Sequence, residues 1–358
     1  MNEKEGGAPV RGKVLRRTAA GILALAGLWL ALDPAVPVPA AAWARGPAAF
    51  SFRQRVLLGD SALLGQWMAD RDGLRSEAAP EESPQPQPEP ETASEPVREQ
   101  TISGGAGYLS GGGVSLFNRT EMPVDLEAVA QGGTSFHLLP ADRGAQVLIM
   151  HTHTTESYAR PPDAPYTETG EAHTTDTDYN IVQVGNAVAQ VLTEMGFSVL
   201  HDTRVYDYPS YNGAYERSRA GVEELLAEHP TVQMVLDIHR DAMVDGAGTV
   251  CKPVTTADGD KIAQVMLLVG TDAGGGAFPD WQEHLALAME ITREMNALWP
   301  GLARPITLRT ARFNQQLTRG SLLVEVGSHG NTLEEAVAGG RRFARALGRV
   351  LEGYVSSE

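Results

Sequence analysis

The stretch Gln146-Val-Leu-Ile-Met-His-Thr-His-Thr-Thr-Glu156 is a short apolar run that passes without a break into imidazoles, hydroxyls and a carboxylate. The apolar part reads as a buried strand, and the polar part begins where that strand ends. His151 and His153 stand two residues apart, so a strand would place both on one face.

Downstream, apolar residues at helical spacing (Ile181, Val184, Val188, Val191, Leu192) predict a helix over 179–195, with Asp178 as its cap and Gly196 as its stop. Strand 197–200, helix 214–228, strand 232–238, strand 263–269, helix 281–298, strand 306–309, strand 322–326 and helix 332–354 follow. The last helix is expected to open with Asn331 as its cap and Glu334 three residues on. Strands alternating with helices predict an α/β fold with a mostly parallel central sheet and helices on both faces.

Upstream the chain is of a different kind. Lys13, Arg16 and Arg17 precede an apolar run from Ala19 to Leu32. A basic flank before an apolar core reads as a signal anchor, leaving residues 1–18 inside the cell and sending the rest across the membrane. The uninterrupted run is shorter than the roughly 20 residues of a spanning helix, but counting the small residues as far as 44 makes an uncleaved anchor over 19–44. Ala42-Trp43-Ala44 is the alternative, a cleavage site. Residues 45–75 hold an amphipathic juxtamembrane helix. Residues 76–111 form a Pro/Glu- and then Gly-rich linker, with seven Glu against Arg98 alone between 77 and 99. The functional domain is expected at 112–358, outside the cell and tethered by a single-pass anchor.

The 358 residues carry 45 Asp+Glu against 29 Lys+Arg, a net charge of −16. That excess excludes general binding to nucleic-acid backbones, which needs clustered basic charge. The single cysteine, Cys251, excludes an intramolecular disulfide framework and a cysteine-rich zinc module.

Ligands in open α/β sheets bind beyond the carboxyl ends of the strands. Three expected strands deliver polar groups there: the first into His151-Thr-His153-Thr-Thr-Glu156, another as Asp237-Ile-His239-Arg240-Asp241, and the last with Glu325 inside Leu322-Leu-Val-Glu-Val-Gly327. A catalytic zinc site takes three nitrogen or oxygen ligands and keeps a fourth position for water. A histidine of the first pair, His239 and a carboxylate would supply that set. Glu325, emerging from an apolar strand, suits the proton carrier that must serve the zinc-bound water. Spacing alone leaves His151 and His153 equivalent.

The segments His151-Thr-His-Thr-Thr-Glu-Ser-Tyr158, Asp237-Ile-His-Arg-Asp-Ala242, Phe313-Asn-Gln315 and Leu322 through Glu335 resemble the stage II sporulation protein P family. Its members are membrane-anchored cell-wall hydrolases of forespore engulfment. That family is similar in turn to zinc-dependent N-acetylmuramoyl-L-alanine amidases. The resemblance implies an amidase-like domain that cleaves the amide joining muramic acid to L-alanine, with cross-link endopeptidase activity in some members. It puts metal ligands at His153 and His239, the catalytic carboxylate at Glu325, and substrate contacts at Arg240, Asn314 and Gln315. The amidases carry a glutamate ligand at the start of the first helix, where this chain has Asp176, Asp178 and Asn180. Glu156 is the expected replacement, with an aspartate near Asp178 or His151 as alternatives. The implied partners are peptidoglycan and a stage II sporulation protein D-like lytic transglycosylase. A non-catalytic, anchored peptidoglycan-binding scaffold is the competing reading, and a zinc deacetylase of wall sugars a third.

Overall fold

A computed structural model of the chain describes residues 97–161 and 172–356. The chain divides into two units, 1–89 and 90–358, and every described residue belongs to the second. The expected basic N-terminus, anchor and juxtamembrane helix, with most of the linker, lie outside the described residues. Among the described residues no helix is long and apolar enough to cross a membrane.

The elements run β1 (Val97–Gln100), β2 (Leu109–Gly111), β3 (Val114–Asn118), α1 (Leu126–Gly132), β4 (Val147–Met150), α2 (Val182–Glu194), β5 (Val199–His201) and α3 (Ala214–Glu228). They continue with β6 (Met234–Asp241), β7 (Val250–Ala257), β8 (Asp260–Ala263), β9 (Val265–Gly270), α4 (Trp281–Leu298), β10 (Ile306–Arg309), β11 (Leu322–Ser328) and α5 (Leu333–Glu352). The main sheet has the order β2-β3-β10-β9-β11-β6-β4-β5, and a smaller sheet the order β1-β7-β8.

β4 shows how the sequence builds the layers. Val147 and Ile149 enter the core with Val184, Val188 and Leu192 of α2. Leu148 and Met150 point to the other face and pack with Val222 of α3, Val235 and Tyr206. The two-residue period of a strand thus buries both faces of one short run. The close fit of α5 depends on glycine: a Cβ on Gly340 would stand 2.9 Å from Val184 Cγ1, and one on Gly339 would strike the Ala263 carbonyl.

The expected sheet of mostly parallel strands is corrected to a mixed one. β5, β4, β6 and β11 run parallel, and β9, β10 and β3 form a second parallel block. The two blocks meet at an antiparallel seam between β11 and β9, and β2 joins β3 antiparallel. β7, which pairs antiparallel with β8, lies between β6 and β9 in sequence. The chain leaves the main sheet through this pair, which lets β9 enter it reversed.

Two local expectations also move. α2 starts at Val182, whose N–H bonds to Asn180 Oδ1, while Asp178 lies in the preceding turn. α5 is capped one residue later than expected: Thr332 Oγ1 accepts from the Glu335 N–H and Glu335 answers to the Thr332 N–H. Within the segment read as linker, β1 pairs with β7 and β2 with β3. Glu99 there contacts Lys252 and Lys261.

Candidate functional site

β4, β6 and β11 end on the same edge of the sheet, and the site is built on those ends. β11 lies beside β6 in parallel register, with Glu325 opposite His239. β4 lies on the other side of β6, with Met150 opposite Asp237, so the segment from His151 to Glu156 passes over the end of β6.

His239 sits between two carboxylates. Its Nδ1 is 3.3 Å from Glu156 Oε2, and its Nε2 is 2.8 Å from Asp237 Oδ1. The latter is an ion-pair contact without in-line hydrogen-bond geometry, which leaves Nε2 without a hydrogen-bond partner. Burial would lower the pKa of His239, but Asp237 and Glu156 outweigh it and hold the ring protonated well above the usual histidine range. Burial would likewise raise Glu156; the facing His239, with Arg240, holds it at about 2. Asp237 accepts from both the N–H and the Oγ1 of Thr152, and Thr152 Oγ1 also meets Ser218 Oγ.

His153 is buried beside this pair, its ring centroid 5.4 Å from that of His239. Its Nδ1 has no hydrogen-bond partner, and burial lowers its pKa. Glu325 is half-buried with Oε2 unpartnered. Burial, reinforced by the nearby Asp241 carboxylate, pushes its pKa up to about 8.

The other expected site residues fall in different places. His151 is fully buried and spends both ring nitrogens, Nδ1 on the Ile238 carbonyl at 2.8 Å and Nε2 on His201 Nε2 at 2.9 Å. Arg240 is a buried strut: Nε donates to the Ser157 carbonyl and Nη2 to the Ala172 carbonyl, tying down the loop that carries Glu156. Gln315 is pinned on the Gly270 N–H and the Leu268 carbonyl. Asn314 donates to the Tyr215 carbonyl. Asp176 accepts from the Asp178 N–H within its own turn.

The sequence reading assigned no role to Asp237, Asp207, Tyr211 or Tyr215. Asp237 was legible, standing two residues before His239 on the same strand face. Asp207, which receives the N–H and Oγ1 of Thr155, gave no such signal. Nor did Tyr211, which stacks on His153, because only the fold brings its loop to the end of β4.

Among the described residues no three His, Cys, Asp or Glu side chains already stand as a metal-holding group. The donor atoms nevertheless suit a zinc ion. The 3.3 Å between Glu156 Oε2 and His239 Nδ1 matches two ligands that share one tetrahedral ion at about 2.0–2.1 Å. The Nδ1 of buried His153 beside them makes no hydrogen bond, with Asp207 Oδ2 standing 3.9 Å away, and is a third nitrogen that a metal could engage.

Fold and site thus define a mixed α/β domain with a histidine–carboxylate cluster at the carboxyl ends of its parallel strands. The profile of the family described as stage II sporulation protein P (SpoIIP) matches residues 74–348, and the chain belongs to that family. It is 28% identical over 200 residues to the stage II sporulation protein P of Bacillus subtilis (strain 168), which is 53% of this chain and 47% of that protein. The chain therefore spans about half the length of this relative. Solved structures with loose likeness include the N-acetylmuramoyl-L-alanine amidase AmiC2 of Nostoc punctiforme, at 14% identity and TM-score 0.34, covering 58% of this chain and 96% of that one. Another is the CwlD amidase of Clostridioides difficile in complex with the GerS lipoprotein, at 13% identity and TM-score 0.37, covering 58% and 98%.

Proposed function

We propose that the chain is a zinc-dependent peptidoglycan hydrolase that cleaves the amide between N-acetylmuramic acid and L-alanine during sporulation engulfment. The observation that carries this reading is Glu325: an unpartnered carboxylate with its pKa raised to about 8, in register beside His239 at the strand ends. Membership of the sporulation family supports it.

In this reading His153, Glu156 and His239 would hold the zinc ion, which would supply a bound water of lowered pKa and polarise the scissile carbonyl. Glu325 takes the proton released by the attacking water and returns it to the departing amine of L-alanine. A carboxyl that changes protonation near neutral pH serves both transfers. Asp237 faces the far nitrogen of His239 and orients the ring. Arg240 fixes the loop of Glu156, and His151 ties the end of β4 to β6. The reading includes a single-pass anchor with this domain outside the cell, peptidoglycan as substrate, and a stage II sporulation protein D-like lytic transglycosylase acting on the denuded glycan.

The test is digestion of isolated cell walls by the purified full chain, with zinc and after chelation. New L-alanine amino termini are expected with zinc and absent both after chelation and in Glu325→Ala. Release that survives either treatment, or amino termini only of cross-bridge residues, overturns the assignment.

A further inference from the structure

Beside the histidine–carboxylate cluster stands a group of aromatic rings to which the proton transfers above give no work. Tyr211 stacks on the His153 imidazole with centroids 4.1 Å apart and planes 2° apart. One ring face is thereby covered and His173 meets the ring edge-on at 6.4 Å, yet 52% of Tyr211 stays exposed. Tyr215 meets the same imidazole edge-on at 5.6 Å, and Phe313 meets Tyr215 at 5.7 Å.

The rings are held by a braced backbone. The Arg217 guanidinium donates to the carbonyls of Tyr206, Ser210 and Asn212, fastening the loop that carries Tyr211. Asp207 of the same loop is fastened to Thr155. On the other side Phe313 and Asn314 have φ of +51° and +58°. Asparagine tolerates that region, but phenylalanine rarely enters it, and such strain persists only where the surroundings impose it. Asn314 imposes it here, with Nδ2 on the Tyr215 carbonyl and 3.3 Å from Ser218 Oγ. A braced loop that keeps a half-exposed aromatic ring in water beside a reactive cluster is preorganised for a ligand.

The ligand's chemistry follows from what surrounds the rings. Arg217 and Arg240 are spent on backbone carbonyls, so they do not call for a carboxylate. A flat π face attracts the weakly positive C–H edges of a saturated ring, while the hydroxyls of that ring stay in water. We propose that Tyr211, backed by Tyr215 and Phe313, is a stacking subsite for a neutral pyranose ring of the glycan strand, seated next to the cleavage site. The inference deepens the hydrolase reading and rests on it.

The test uses the purified full chain, stripped with chelator so that nothing turns over, and a β-1,4-linked N-acetylglucosamine tetramer as probe in a calorimetric titration. Tyr211→Ala is expected to weaken binding by about tenfold, the upper end for one aromatic stack. Tyr211→Phe is expected to keep wild-type affinity, and Tyr211→Leu, which still packs on His153, to behave like the alanine variant. Unchanged affinity in the alanine or leucine variant, or a wild type that does not bind the tetramer, overturns the subsite. Wall digestion separates the two ideas: hydrolysis with tetramer binding indifferent to Tyr211 sinks the subsite alone, whereas binding lost in Tyr211→Ala without amide hydrolysis by wild type sinks the hydrolase reading alone.

Discussion

Glu325 and His239 are direct register partners across the parallel strands β11 and β6. One is a carboxyl whose pKa burial and Asp241 push up to about 8; the other is an imidazole that Asp237 and Glu156 hold protonated. Both groups, on neighbouring strands, are thus biased toward keeping their protons, the carboxyl as a neutral acid and the imidazole as a cation. β11 is also the strand at which the sheet reverses direction, so Glu325 faces Met266 of β9 on its other side.

The raised pKa of Glu325 has a consequence for stability. The unfolded chain ionises this carboxyl at ordinary pH and the folded chain resists it until about 8. Stability is therefore greatest below the normal carboxylate range and falls as pH rises toward about 8, by about 1.4 kcal/mol per unit of displacement. In metal-free protein Glu325→Gln should remove that fall, matching wild type near pH 4 and exceeding it by a few kcal/mol at pH 8. Parallel urea-stability curves for the two proteins across that range would refute the raised pKa.

Arg240 separates a strut from a substrate contact. Arg240→Met leaves the Ser157 and Ala172 carbonyls without their donor and should cost about 2–4 kcal/mol in chemical denaturation. Arg240→Lys should recover little, since one ammonium cannot reproduce the planar fork. A variant of unchanged stability with only a raised KM would instead make Arg240 a substrate contact.

Gly185 sets two effects against each other. Alanine in a helix interior is favoured over glycine by about 1 kcal/mol. Here a Cβ would stand 2.5 Å from His201 Nε2 and 2.6 Å from His151 Nε2. Overpacking of that kind costs about 1–3 kcal/mol, so Gly185→Ala should be net destabilising, with a lower Tm. A rise in Tm would show that the His151–His201 contact is free to move.

Thr332 carries the reciprocal cap of α5. Thr332→Ala should cost about 1 kcal/mol. Asn331→Ala should act differently, because Asn331 holds the turn after β11 through the Ser328 N–H and the Pro253 carbonyl. If the two losses were exchanged, with the cap effect falling on Asn331, the sequence-based placement of the cap would be restored.

Much of this was legible in the chain. The apolar runs of β4, β6, β9 and β11 and the periodicity of α3 and α4 are signals carried by consecutive residues, and the short length of the Val147 to Met150 run favours a strand buried on both faces. The same is true of the polar residues that follow each run, because a strand's end fixes where they emerge. β1, β2, β7 and β8 gave no such signal. Val250–Ala257 mixes apolar residues with Lys252, Pro253 and two threonines, and becomes a strand through partners far away in sequence.

The sequence by itself determined an α/β domain with imidazoles and a carboxylate at the ends of three strands, since local pattern alone carries that information. Only the tertiary structure decided the direction of β9, and with it a mixed sheet, because strand direction depends on the path the chain takes between strands. Only the tertiary structure divided the histidine pair, through neighbours that spacing cannot reveal: His201 and Ile238 saturate His151, while His153 keeps a nitrogen free of hydrogen bonds beside His239.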